Sequence, residues 1–205
     1  MTLNKTLLFT TLLVSGAALL AADGQFSERG QLLFSESFAG PALAKGWTAK
    51  PGKLEFVDGA AKISELPEDK HAAVRRHPLQ YHDAIFEFSF EFDGAKMVAL
   101  SLNNKGGHVC RLIITPNAET LQVDQPNHNS DQKAVRLATA PVKIAPGAWH
   151  KAVVEVHGPV MTAQIDNNPP ITGQNPRVDV DKADVGIPVS GVSAQVKDLK
   201  VFAVK

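Results

Sequence analysis

The chain has 205 residues, and 21 lysines and arginines balance 21 aspartates and glutamates, so its formal charge is zero. A neutral chain has no general field to gather nucleic acid or anionic lipid, and neither is expected as a partner. Cys110 is the only cysteine, which excludes an intrachain disulfide and any zinc site built from paired cysteines.

At the amino terminus Lys5 precedes an apolar run from Leu7 to Leu20, with small residues at Ala17, Ala18, Ala21 and Ala22. Charged, apolar and small-residue zones in that order are those of a secretory signal, so residues 1–22 are set apart from the fold. Thr10, Thr11, Ser15 and Gly16 interrupt the run, which is short for a span of about 20 apolar residues. Cleavage is therefore expected, leaving a mature chain from Asp23 that is secreted or periplasmic and free of the membrane. Residues 23–205 suit a single domain, on the usual scale of about 100 to 200 residues each.

Along that stretch the sequence reads as short extended segments with almost no helix. The predicted strands are Leu32 to Phe38, Leu54 to Val57, Ala60 to Ser64, Ala72 to Arg75, Ala84 to Asp93, Met97 to Leu102 and His108 to Thr115. They continue with Thr120 to Val123, Lys133 to Leu137, Trp149 to His157, Val160 to Asp166, Val185 to Val189 and Ser193 to Val204. Asp58-Gly59, Asp93-Gly94, Gly106-Gly107, Pro146-Gly147, Gly158-Pro159 and Asn167-Asn168-Pro169-Pro170 supply turn chemistry between them. Many short strands at this spacing predict an all-β fold, a two-sheet antiparallel jelly-roll sandwich.

The strand from Ala84 to Asp93 carries the clearest pattern. Phe86, Phe88, Phe90 and Phe92 alternate with Glu87, Ser89, Glu91 and Asp93. A period of two sends the rings into a core and the polar groups to the opposite face. Glycoside hydrolysis commonly uses two carboxylates, and residues two apart on one strand face stand roughly 7 Å apart, so Glu87, Glu91 and Asp93 are candidates to frame a sugar. The same pattern equally serves a solvated outer face. The Glu-x-Asp-x-x-Glu strand of family 16 glycoside hydrolases is absent, since Gly94 and Ala95 follow Asp93.

In Gly106 to Thr115, simple alternation puts His108, Cys110 and Leu112 on one face and Val109, Arg111 and Ile113 on the other. Cys110 beside His108 has no third group to orient it and reads as a buried thiol. Arg111 offers a planar donor fork suited to sugar hydroxyls or to a carboxylate, with Glu91 or Glu87 as the intramolecular alternative. The polar stretch Asp124 to Asp131 is the longest expected loop and contributes Asp124 and His128. Of the seven histidines, His71 and His128 are those expected to face a cleft. Trp149 suits stacking on a sugar if exposed and core anchoring if not.

Leu33-Phe-Ser-Glu-Ser-Phe38 with Gly46-Trp47, the Phe86 to Asp93 strand, Gly147-Ala-Trp-His150 running into Val153 to Gly158, Ile165-Asp-Asn167 and Val196 to Val201 together resemble the 3-keto-disaccharide hydrolase family. The resemblance spans nearly all of residues 23–205 and implies a concanavalin A-like, LamG-like jelly roll, often labelled family 16 glycoside hydrolase-like. Glu91 matches the glutamate that members carry in this strand. The arginine usual two places on is Asp93 here, and the glutamate usual after Gly107 is replaced within His108 to Cys110. The Gly107 to Arg111 stretch resembles a subgroup of exported relatives, for which the resemblance implies a fold only.

The expectation is an exported carbohydrate-associated domain that recognises a glycan or small sugar around Glu91, Arg111 and the 124–131 loop. Its rivals are a 3-keto-glycoside-cleaving enzyme, with Glu91 as acid or base and His71 or His108 assisting, and a structural envelope protein without a small ligand. No cofactor is expected. Structural calcium is common in jelly rolls of this type, and Glu36 and Asp198 are the candidate ligands, but two carboxylates fall far short of the roughly six to eight oxygens the ion takes.

Overall fold

The computed structural model describes residues 26–48 and 51–205. The expected secretory signal lies outside the described residues. Among the described residues, twelve antiparallel strands make up the fold: β1 (Arg29–Glu36), β2 (Lys53–Val57), β3 (Ala60–Ser64), β4 (Ala73–Tyr81), β5 (Ala84–Asn104), β6 (Gly107–Thr115), β7 (Ala118–Val123), β8 (Val135–Pro141), β9 (Trp149–His157), β10 (Val160–Ile165), β11 (Ile171–Gln174) and β12 (Lys182–Val204). Two single 3-10 turns, Pro67–Asp69 and Pro176–Val178, are the only other regular elements among the described residues, and no helix there is long and apolar enough to cross a membrane.

β5 and β12 hold the sandwich together. Each is long, 21 and 23 residues, where the sequence predicts two shorter strands apiece. Asp93-Gly94 reads as a turn between two strands but forms a bulge instead, at which β5 bends while keeping β12 beside it. Gly94 takes φ 75°, and on β12 Gly191, which pairs with the next residue Ala95, takes φ 97°. A Cβ on Gly191 would lie 2.5 Å from the backbone nitrogen of Lys96, so no other residue fits this crossing. Both strands thereby pass together from one layer to the other.

The first layer runs β11–β10–β9–β5–β12 through residues 84–92 of β5 and 193–204 of β12, with β3 and β1 side by side along β12 and β2 beyond β3. The second runs β4–β12–β5–β6–β7–β8 through residues 182–190 of β12 and 97–104 of β5. Phe86, Phe88, Phe90 and Phe92 are 0, 1, 0 and 3% exposed, and they pack in one core with Leu100, Leu102, Leu112, Ile114, Val185 and Ile187 of the facing layer. Burying each ring contributes about 2 to 3 kcal/mol of hydrophobic stabilisation.

The start of β4 is fixed by a buried arginine. Arg75 is fully buried, and its Nη1 donates to the carbonyls of Pro51 (2.6 Å) and Val74 (2.9 Å) while Nη2 donates to that of Gly52 (2.9 Å). Its neighbour Arg76 points the opposite way, as strand alternation requires, onto the outer face of the second layer.

Candidate functional site

Two adjacent rungs of the second layer carry the polar groups of that outer face. One reads Arg76–Gly186–Ser101–Arg111–Gln122 across five strands, and the next reads Asp184–Asn103–His108. Residues that share a rung and a face stand about 5 Å apart from strand to strand, so side chains from distant parts of the sequence meet.

His108 reaches this face through a second bulge. The register slips between Leu102 and Asn103, so that Leu102 faces Cys110 while Asn103 faces His108. Val109 is the extra residue, and it and Cys110 both turn inward, 4 and 0% exposed. The alternation expected from sequence, with His108 on the side of Cys110, is thus corrected. His108 shares its face with Arg111, and Cys110 faces the core, where burial pushes its thiol up to about 12 and leaves no nucleophile.

A hydrogen-bonded chain orients the imidazole. Asn103 Nδ2 donates to Asp184 Oδ1 at 2.6 Å, and His108 Nδ1 lies 2.7 Å from Asn103 Oδ1. A carboxylate only accepts, so the amide oxygen faces His108 and its Nδ1 carries the proton, leaving Nε2 as an acceptor. Burial first, and then the nearby charges of Arg111 and Arg76, hold the His108 pKa below the usual histidine value. The ring is a neutral base of fixed tautomer.

Arg111 is tethered through Nε, which donates to Asp124 Oδ2 at 2.6 Å, and Gln122 Nε2 donates to the other carboxylate oxygen at 2.8 Å. Asp124, 2% exposed, is the partner that sequence reasoning assigned to Glu91 or Glu87. The loop that begins at Asp124 is held close to β6: the His108 N–H donates to Pro126 O at 2.9 Å. A Cβ on Gly107, which takes φ 132°, would lie 2.0 Å from that same oxygen. From the Pro176–Val178 turn, Arg177 donates to the carbonyls of Asp124 and Lys133 and clamps both ends of the loop.

Arg76, Arg111, His71, His108, Ser101 and Met97 line a cavity of about 210 Å³. His108 also borders a 480 Å³ hollow against Gln125, Pro126 and His128, and a 280 Å³ one that Arg177 closes. His71 and Arg76 extend the trough the other way, into a hollow of 370 Å³. His71 is exposed, and its Nδ1 lies 2.7 Å from Ala72 O. The structure therefore gathers His71, His108, Arg111, Asp124 and His128 along one face.

Glu87, Glu91 and Asp93 are elsewhere. They lie on the outer face of the first layer, with the core between them and Arg111, because β5 turns its other half into the second layer. Glu87 pairs with Arg29 and with Lys151 Nζ (2.8 Å), partners that hold its pKa below the usual carboxylate value against the opposing effect of burial. Glu91 accepts from Gln195 Nε2 at 3.3 Å, and Asp93 pairs with Lys62 Nζ at 2.6 Å and accepts from Ser193 Oγ at 2.8 Å. Trp149, 38% exposed, shares this face beneath Lys197, whose Nζ lies 3.9 Å from the ring centroid. Glu36 accepts from the N–H groups of Phe38 (3.0 Å) and Ala44 (2.8 Å), so its carboxylate closes a loop. Among the described residues no group of three or more His, Cys, Asp or Glu side chains is placed to hold a metal ion.

Sequence reasoning missed Arg76, Ser101, Asn103 and Asp184. The available signal was Ser101 and Asn103 alternating with Leu100 and Leu102, a polar face within a buried strand.

No protein-family model and no curated protein matches the chain. Solved structures do. A carbohydrate-binding module from Bacillus subtilis is 13% identical and superposes with a TM-score of 0.61 over 77% of this chain and 96% of its own. A Bacillus subtilis protein of unknown function with a galectin-like fold is 11% identical, with a TM-score of 0.68 over 88% of this chain and 100% of its own. The CBM2 module of the evolved Dit of Lactobacillus casei BL23 phage J-1 is 12% identical, with a TM-score of 0.62 over 87% of this chain and 98% of its own. At such identities the likeness shows the fold: an all-β, two-layer antiparallel jelly roll.

Proposed function

We propose that the protein is an exported carbohydrate-associated domain that recognises a glycan on the outer face of its second layer. The observation that carries this reading is the cavity where His71, Arg76, His108 and Arg111 converge around Ser101 and Pro188. Guanidinium forks donate and the imidazole Nε2 of His108 accepts, which matches the mixed donor and acceptor character of sugar hydroxyls. Carbohydrate-binding modules of this fold support the reading, and the amino-terminal pattern from Lys5 to Ala22 supports export. A glycan array with the wild type, Arg111→Ala and Glu91→Gln tests it. Binding should be lost in Arg111→Ala and kept in Glu91→Gln; the opposite result moves the site to the first layer, and no glycan binding by the wild type sinks the reading.

A second reading, an enzyme of the 3-keto-glycoside-cleaving type, is favoured by one observation. The Asp184–Asn103–His108 chain supplies the orienting group that a general base needs. Glu91 does not share that site, so His108 would serve alone as base. Release of sugar from a 3-keto-glucoside, abolished in His108→Ala, is the test.

A further inference from the structure

The cavity walls carry two guanidinium groups and no carboxylate. Arg111 has its charge offset by Asp124, which lies behind it and is almost fully buried. Arg76 is different. Among the described residues its only side-chain partner is Thr48, whose Oγ1 accepts from the Arg76 backbone N–H at 3.0 Å, and its guanidinium enters no ion pair. Its stem lies over Gly186, where a Cβ would meet Arg76 Cγ at 3.3 Å, so the absence of a side chain at Gly186 leaves Arg76 room within the trough. Asp184, the acid on the adjoining rung, accepts from Asn103 and forms no ion pair with Arg76.

A ligand that covers this cavity strips water from an uncompensated cation, which is costly unless the ligand brings an anion. Resting on the glycan reading above, we propose that the cavity takes a saccharide unit bearing one negative charge, a uronate carboxylate or a sulfate ester, bound by Arg76 and Arg111 with a neighbouring hydroxyl donating to His108 Nε2. Both candidate groups present the paired oxygens that a guanidinium fork engages with two hydrogen bonds. Of the two arginines that line the cavity only Arg76 has no ion-pair partner among the described residues, which suits one negative charge on the ligand. Burial first, and then the same pair of arginines, disfavour a charged His108 beside them.

The test is calorimetric titration of the full chain with three probes: an oligogalacturonate, the same oligosaccharide with its carboxylates reduced to alcohols, and a sulfated oligosaccharide on a neutral backbone. An acidic probe should bind about tenfold or more tightly than the neutral one, and that advantage should shrink as salt is raised. Arg76→Gln should weaken the acidic probe far more than the neutral one, so that the preference collapses to about equal affinity while the melting temperature is unchanged, and Arg76→Lys should keep part of the preference. Preference for the uronate over the sulfated probe assigns the carboxylate, and the reverse assigns the sulfate ester. Equal affinity for acidic and neutral probes, indifferent to Arg76→Gln, overturns this inference and leaves the glycan reading standing. Binding of no saccharide by the wild type overturns both.

Discussion

Nδ1 of His108 lies 2.7 Å from Oδ1 of Asn103, and the amide nitrogen of Asn103 is spent on Asp184. The proton on Nδ1 is therefore determined two residues away, by a carboxylate that His108 does not touch. Nitrogen NMR of the folded protein should show the Nδ1–H neutral form at pH 7 and a titration midpoint below about 6.5. Because the folded pKa is depressed, the associated stability is present above the ordinary histidine value and is lost as pH falls through the folded one. Asn103→Leu should abolish the tautomer preference. An Nε2–H form in the wild type would show the chain of hydrogen bonds to be misassigned.

Gly107 makes a different prediction, because its contact is with backbone. Its added Cβ would meet Pro126 O at 2.0 Å, and a φ of 132° is strained for any L side chain. Gly107→Ala should push the 124–134 loop away, break the His108 N–H to Pro126 hydrogen bond and cost about 1 to 3 kcal/mol. Glycan affinity should fall with it. Amide hydrogen exchange at His108 reads the loop directly: unchanged protection would mean that the loop accommodates the methyl group.

Much of the fold was legible because its pattern is local. The phenylalanine alternation in β5 needs no knowledge of partners, and the rings are buried as a period of two requires. Whether Gly94 turns the chain or bends it depends on Gly191, almost a hundred residues away, which no local pattern reports. The same holds for the site. The bulge at Val109 that carries His108 to the side of Arg111 is a one-residue slip, and a slip of one reverses every face assignment beyond it. Arg76, Asn103 and Asp184 come from three strands, and only the register of β4, β12 and β5 brings them together.

The two faces of β5 should respond unequally to mutation. Phe90 is fully buried between Phe88 and Phe92, at ring distances of 5.9 and 5.8 Å, so Phe90→Ala should cost about 3 to 5 kcal/mol. Glu87 faces outward with two partly exposed cations, and Glu87→Ala should cost about 1 kcal/mol or less. Urea melts of both variants measure the difference. Losses of equal size would mean that the outer face of this strand is as tightly packed as the inner one.

Glu119 offers the sharpest dependence on pH. It sits on β7 with its side chain in the interior, opposite Ile114, and neither carboxylate oxygen has a hydrogen-bond partner among the described residues. Burial raises its pKa from 4.5 to about 7, so the folded protein holds it protonated where the unfolded chain has already released the proton. With the folded value above the unfolded one, the stability it contributes is fully present below pH 4.5 and is lost as pH rises through about 7. At about 1.4 kcal/mol for each unit of pKa, the penalty at pH 8 is roughly 3 kcal/mol. Glu119→Gln keeps the shape of the neutral acid and cannot ionise. Urea melts should show the variant more stable than wild type by that order at pH 8 and nearly equal to it at pH 4, and a difference that does not change with pH would place the carboxylate in contact with water.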